Sequence, residues 1–259
     1  MMLSRLFLLS TAALVLVVSA ARADEARTIF DEKVAPGVSF KLTNVTGDVK
    51  VGRSSTDKLQ IIAQVIPSGS NAPHIVPTVQ KGDGWIAVCS RDVDSRPEPV
   101  CTGEVHREWS KGRNDSTRVD YTVAIPDGLA TKIVNVNGQI IAKGVRADLD
   151  AVNVNGNVEL ETTGPAKAVT VNGSVKAIAG KVDGKTKFAT VNGDIDVTLP
   201  PNCDTEISAS TTHGTIVSDL PLKRHEIGPL ASAKGTLGSG TSQLSAATVN
   251  GDIKLKQSK

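Results

Sequence analysis

TVNGDI stands at 190–195 and again, letter for letter, at 248–253. Aligned on its Asn-Gly pair, the hexapeptide has relatives along much of the chain: IVNVNGQIIA (133–142), AVNVNGNVEL (151–160), AVTVNGSVKA (168–177), FATVNGDIDV (188–197) and AATVNGDIKL (246–255). ASTTHGTIVS (209–218) is a degenerate copy with His213 in place of Asn, and LTNVTGDVKV (42–51) is an early one. Glycines at 138, 156, 173, 193 and 214 lie 18, 17, 20 and 21 residues apart, and the step on to Gly251 is 37. A recurring period of this size marks a repeat architecture. The long final step predicts one more degenerate unit, around GTLGSG (235–240).

Asn-Gly between alternating apolar residues is the usual signal for a two-residue β-hairpin. The faces argue otherwise. With Asn counted as position 0, position −1 is Val136, Val154, Val171, Val191 or Val249, and position +3 is always Ile or Val. Position +2 is always polar (Gln139, Asn157, Ser174, Asp194, Thr215, Asp252). A hairpin would set −1 against +2 and mix apolar with polar on one face, against strand alternation. The pattern predicts a corner instead, with −3, −1, +3 and +5 turned inward. One period is then one coil, roughly three short strands and their bends, which stacks only on its neighbours. The expected fold is all-β: a single-layer, right-handed β-solenoid (β-helix) of about 17–21 residues per coil, preceded by a strand-rich N-terminal section.

In that fold the repeated residues are architecture. Glycine allows a backbone angle at the bend that a side chain forbids, and asparagine tolerates such geometry and can bond to its counterpart one coil away. The pairs Asn137-Gly138, Asn155-Gly156, Asn172-Gly173, Asn192-Gly193 and Asn250-Gly251 are therefore expected to build turns and one ladder. Asp194 and Asp252 read as turn residues rather than ligands.

Residues 1–23 read as a signal peptide: Arg5, an apolar run (6–21), then the small-x-small site Ala21-Arg22-Ala23. The predicted organisation is this leader, a strand-rich part over 24–120, and the repeat region over 121–259. Strands are expected at 38–42, 48–51, 59–65, 85–89 and 118–125, with Pro126 and Pro200 ending strands. Loss of Arg5 and Arg22 leaves 27 residues of each charge and six aromatic residues. A neutral chain with so few stacking rings gives no footprint for nucleic acid. No later stretch is long and apolar enough for a membrane span.

Cys89 and Cys101 are expected to form a disulfide in an oxidising compartment, with Cys203 left over. They bracket part of a charged, aperiodic excursion (89–117) that holds His106 and Trp109, a possible partner contact. No catalytic, cofactor-binding or metal-ligand spacing is found; GTLGSG lacks the lysine of a phosphate loop.

The early VSFKLTNVTGDVKV (38–51), the strand closing in proline (YTVAIP, 121–126) and the TVNGDI units together resemble the bacterial "putative adhesin" family of exported β-solenoid domains. The resemblance spans nearly all of 28–255 and implies an envelope or surface protein with a structural or adhesive role and no established active site. The function expected is non-catalytic, in the periplasm or at the cell surface, with an envelope protein or a glycan as partner. The alternatives are a polysaccharide-active β-helix enzyme, with Glu159 and Asp196 on the outward +4 row as its carboxylates, and an envelope-stress or regulatory component.

Overall fold

A computed structural model describes residues 25–67, 75–92, Cys101 and 117–258. The leader, His106 and Trp109 lie outside these residues. All elements among them are strands: β1 Arg27–Lys33, β2 Ser39–Thr43, β3 Val49–Arg53, β4 Lys58–Ile66, β5 Ile75–Gly82, β6 Trp85–Asp92, β7 Arg118–Ile125, β8 Thr131–Val134, β9 Ile140–Val145, β10 Leu149–Val152, β11 Val158–Thr162, β12 Ala166–Val169, β13 Val175–Ala179, β14 Lys185–Ala189, β15 Ile195–Leu199, β16 Thr205–His213, β17 Ile216–Ser218, β18 Lys223–Ile227, β19 Leu230–Leu237, β20 Ser242–Asn250 and β21 Ile253–Gln257. They form two mixed sheets. One has the order β1-β4-β7-β3-β9-β11-β13-β15-β21-β17, the other β18-β19-β16-β20-β14-β12-β10-β8-β2-β6-β5.

Every Asn-Gly unit is a corner between these sheets. The chain leaves the second sheet as β8, β10, β12, β14 or β20 and enters the first as β9, β11, β13, β15 or β21. Strands of successive units then pair in parallel: Leu149 with Ala166 and Val158 with Val175, 17 residues on, and Val175 with Ile195, 20 on. Each unit therefore contributes two strands, and the third contact between units is a single-residue bridge at the corner, as between Asn155 and Asn172. Between the sheets lies one core of Ile, Val, Leu and Ala with few rings, Phe40, Phe188 and Tyr121 among them.

The stacking does not follow the chain. β20 lies between β14 and β16, and β21 between β15 and β17. The unit at 246–255 is thus inserted between those at 188–197 and 209–218. Its TVNGDI sits directly on the earlier copy, Ile253 against Ile195 and Asn250 against Asn192. No coil forms around GTLGSG. Residues 223–237 instead make an antiparallel hairpin, β18–β19, that extends the second sheet beyond β16. The 37-residue step is this detour. A period count cannot tell a detour from a decayed unit.

The inward positions differ from those expected. Ile133, Asn135, Ala151, Asn153, Ala168, Thr170, Phe188 and Thr190, at −4 and −2, are buried, whereas Val154, Val171, Val191 and Val249, at −1, are 36–41% exposed. Positions +3 and +5 point inward, as in Val158 and Leu160. From −2 to +3 is an odd number of steps. Alternation holds within a strand, but the corner joins two sheets and resets it.

Candidate functional site

The corner accounts for the polar letters of the repeat. At position 0, Asn155 donates through Nδ2 to Asn137 Oδ1 at 2.8 Å, Asn172 to Asn155 at 2.9 Å, Asn192 to Asn172 at 2.9 Å and Asn250 to Asn192 at 2.8 Å. At −2 the buried polar side chain donates to the glycine carbonyl one coil away: Asn153 to Gly138, Thr170 to Gly156, Thr190 to Gly173, Thr248 to Gly193 and Thr211 to Gly251. At +2 a side-chain oxygen accepts the next backbone N–H, as Asp194 does from Asp252 and Asp252 from Thr215. Position −2 is therefore polar although it faces the core, because the glycine carbonyl beside it needs a donor. Thr190→Val is expected to cost about 1–2 kcal/mol by orphaning Gly173 O, and Val191→Thr, on the outward column, less than about 0.5 kcal/mol. Denaturant unfolding of both variants checks this; equal losses would contradict the inward assignment.

Most polar side chains of the corner are engaged between coils; the buried Asn135 donates through Nδ2 to Gly47 O while its Oδ1 has no partner among the described residues. Cys89 and Cys101 are disulfide-bonded, and the bridge packs with Ala87 and Trp85 on the outer surface of β6. Cys203 is a free, buried thiol whose pKa burial pushes up. Tyr121 is buried with its hydroxyl 2.7 Å from Ser90 Oγ, and desolvation drives its ionisation far above the usual phenol range. It serves the core.

The outer faces of the two sheets carry different charge. On the first sheet the +4 row runs Lys50, Ile141, Glu159, Lys176, Asp196, Lys254. Its carboxylates are paired: Glu159 lies 3.4 Å from both Lys143 and Lys176, and Asp196 lies 3.0 Å from Lys256. On the second sheet the row at −5 runs Lys41, Lys132, Asp150, Lys167, Lys187 across five adjacent parallel strands. Asp150 is 3.9 Å from Lys132. Lys167, Lys185 and Lys187 are exposed and have no carboxylate partner among the described residues. In-register strands hold neighbours about 4.8 Å apart, and like charges directly opposite are destabilising. Lys167 beside Lys187 is such a pair.

A shallow trough of about 440 Å³ runs along this row, walled by Lys41, Lys132, Lys167 and Lys185 together with Asp148 and Asp150, and floored by small residues such as Ala130 and Pro165. A second concavity, about 580 Å³, lies at the opposite turns near Pro36 and Pro126. Its charges are already satisfied. Arg53 holds the Asp127 carboxyl below its usual range through a paired hydrogen bond, and Lys33 does the same for Asp57. The lysine trough is the stronger candidate. Net charge hid it, since the chain is balanced overall; the signal was one column further left in the repeat alignment, at −5. The Cys89–Cys101 bridge lies one strand from Lys41, on β6 beside β2.

Comparison with known proteins gives a family and two distant structures. The family model described as Toastrack DUF4097 matches residues 104–256. A "putative cell adhesion protein" from Clostridium sporogenes is 13% identical, with 90% of this chain and 99% of that one covered and a TM-score of 0.47. A "putative adhesin" from Bacteroides fragilis is also 13% identical, with 89% and 97% covered and a TM-score of 0.33. No curated protein matches the chain.

Proposed function

The chain belongs to the Toastrack DUF4097 family, and from that premise we propose that it is an exported, adhesin-like, non-catalytic scaffold whose lysine trough binds an acidic glycan of the cell envelope. The observation that carries this reading is the contrast between the two outer faces. Both carboxylates of the +4 row on the first sheet are held in ion pairs, while the second sheet keeps Lys167, Lys185 and Lys187 without a carboxylate partner among the described residues, Lys167 and Lys185 walling the trough. Regular spacing suits a regular polymer, since four of the five strands in the row each offer one lysine, with Asp150 on the fifth. The reading includes export through residues 1–23, residence in the periplasm, and winding as one single-layer, right-handed solenoid of 17–21 residues per coil, the hand favoured for parallel crossovers.

The polysaccharide-active alternative needs carboxylates free to act as acid and base. Glu159 and Asp196 are held in ion pairs on the opposite face from the trough, so the geometry lends it no support.

The test is binding of the chain from Asp24 onward to polygalacturonate, with dextran as the neutral control. Retention is expected on the acidic polymer only, weakening steeply as salt rises. The double substitution Lys167→Glu, Lys187→Glu is expected to weaken binding about tenfold, ~1.4 kcal/mol. The pair Lys176→Glu, Lys254→Glu on the other face is expected to change it less than about twofold. Equal effects from both faces, or equal binding to dextran, would sink the proposal.

A further inference from the structure

Strand β18 ends the second sheet, with no strand beside it among the described residues. The first sheet stops at β17, whereas the second runs on past β16 through β19 to β18. All five residues of β18, KRHEI, are exposed on both faces. The hairpin tip adds Ile227 at 62% and Leu230 at 45% exposure. An open edge of unpaired N–H and C=O groups is a template for another strand. The other three edges are blunted in recognised ways: β5 carries Pro77, β1 has a register break between Thr28 and Phe30, and β17 has three residues. β18 has neither proline nor bulge; what guards it is charge, Lys223, Arg224 and Glu226, which selects a partner edge of complementary charge.

We propose that β18 pairs with the β18 of a second copy, antiparallel and centred on His225, to join two second sheets into one. The register follows from the hairpin. Ile227 and Leu230 flank the two-residue loop Gly228-Pro229, so they form its bonded closing pair. Bonded pairs alternate along an antiparallel ladder, which makes His225–Ser232 and Lys223–Lys234 the next two. The backbone groups of Arg224 and Glu226 therefore point to the open edge. Two copies can meet only where both present such groups. Centring on Arg224 sets Arg against Arg, and centring on Glu226 sets Glu against Glu. Centring on His225 sets Arg224 against Glu226 of the other copy, twice, with four backbone hydrogen bonds. Neither side chain has an ion-pair partner among the described residues; Arg224 donates only to Ser218 O at 3.3 Å.

A two-fold axis through such a ribbon stands perpendicular to the sheet, and the interface is self-complementary. Both lysine troughs then face the same way, so that one polymer can engage both copies with increased avidity. The self-pairing does not depend on the glycan reading and is tested without any ligand.

The experiment is sedimentation equilibrium of the chain from Asp24 onward at 5–500 µM, paired with site-directed crosslinking; this concentration range is set on the order of the weak affinity expected of a small interface. A monomer–dimer equilibrium is expected. Arg224→Glu and Glu226→Arg should each weaken it at least about tenfold, and the double exchange should restore it to within about threefold, because the like-charge clash is removed. Residue 225 faces its symmetry mate across a non-bonded pair at about 4.5 Å between Cα atoms, within disulfide reach. His225→Cys should therefore give a covalent dimer on mild oxidation, and Lys223→Cys should not. A monomer throughout the range with no crosslink overturns the proposal. So does a dimer indifferent to the charge reversals, which would use another face. Circular dichroism of each variant confirms that this exposed strand tolerates the changes.

Discussion

A chain ended after Thr241 is expected to lose the fold of residues 205–237 altogether. In a solenoid stacked in chain order, removing a terminal coil costs that coil and one interface, because each unit touches only its neighbours. Here the deleted β20 and β21 lie inside the stack. β20 separates β14 from β16, and β21 separates β15 from β17. Their removal strips Ile195, Val197 and Leu199 of cover on one side and leaves β16, β17 and the β18–β19 hairpin with nothing to dock on. Hydrogen exchange reports this loss directly: amides at 205–218 should lose protection, while those at 131–179 keep theirs. A peptide of residues 242–258 added in trans should restore protection at 205–218. Persistent protection without that peptide would show that β16 can stack on β14 and would refute the insertion.

Gly193→Val is expected to cost about 3–5 kcal/mol or to prevent folding. Gly193 has φ +151° and an added Cβ would meet Gly173 O at 2.2 Å and Gly173 C at 2.5 Å. Both contacts are backbone, so no rotamer can relieve them. The neighbouring coil must move, and every ladder at that corner moves with it. The backbone angle costs about 1–3 kcal/mol for a non-glycine residue and overpacking adds about 1–3 kcal/mol. Asp194→Ala, one residue on, removes a hydrogen bond to Asp252 N from an exposed side chain. It should cost about 0.5–1.5 kcal/mol. Thermal unfolding of both variants separates them, and a loss from Asp194→Ala as large as that from Gly193→Val would contradict the close approach of the coils.

The architecture was legible because its units repeat. Asn-Gly spacing and the polar +2 position exposed the corner before any coordinates, and Pro126 and Pro200 follow directly on the ends of β7 and β15. Four things were harder to read. Asn153 and Thr170 looked like outward residues because they are polar, yet they face the core to reach Gly138 O and Gly156 O. Hydropathy cannot register a partner carried by another coil. The stacking order was hidden because parallel neighbours are chosen by long-range fit; in hindsight, the identity of residues 190–195 and 248–253 marked the two copies as adjacent. The lysine trough was masked by a charge count that summed over both faces. Strands β1 and β5 lack the repeat's alternation and its Asn-Gly punctuation, so nothing local announced them.

The insertion of β20–β21 also sets a clock. The ribosome makes β17 by residue 218 and reaches β20 only at residue 242, 24 residues and about one to five seconds later. Until then β16 and β17 have no template, and the β14–β15 coil has an open flank. A nascent chain can wind its early coils in order but must hold one place vacant for a segment not yet made. Such a chain stays incomplete while it is being synthesised, and it closes only once its later residues arrive.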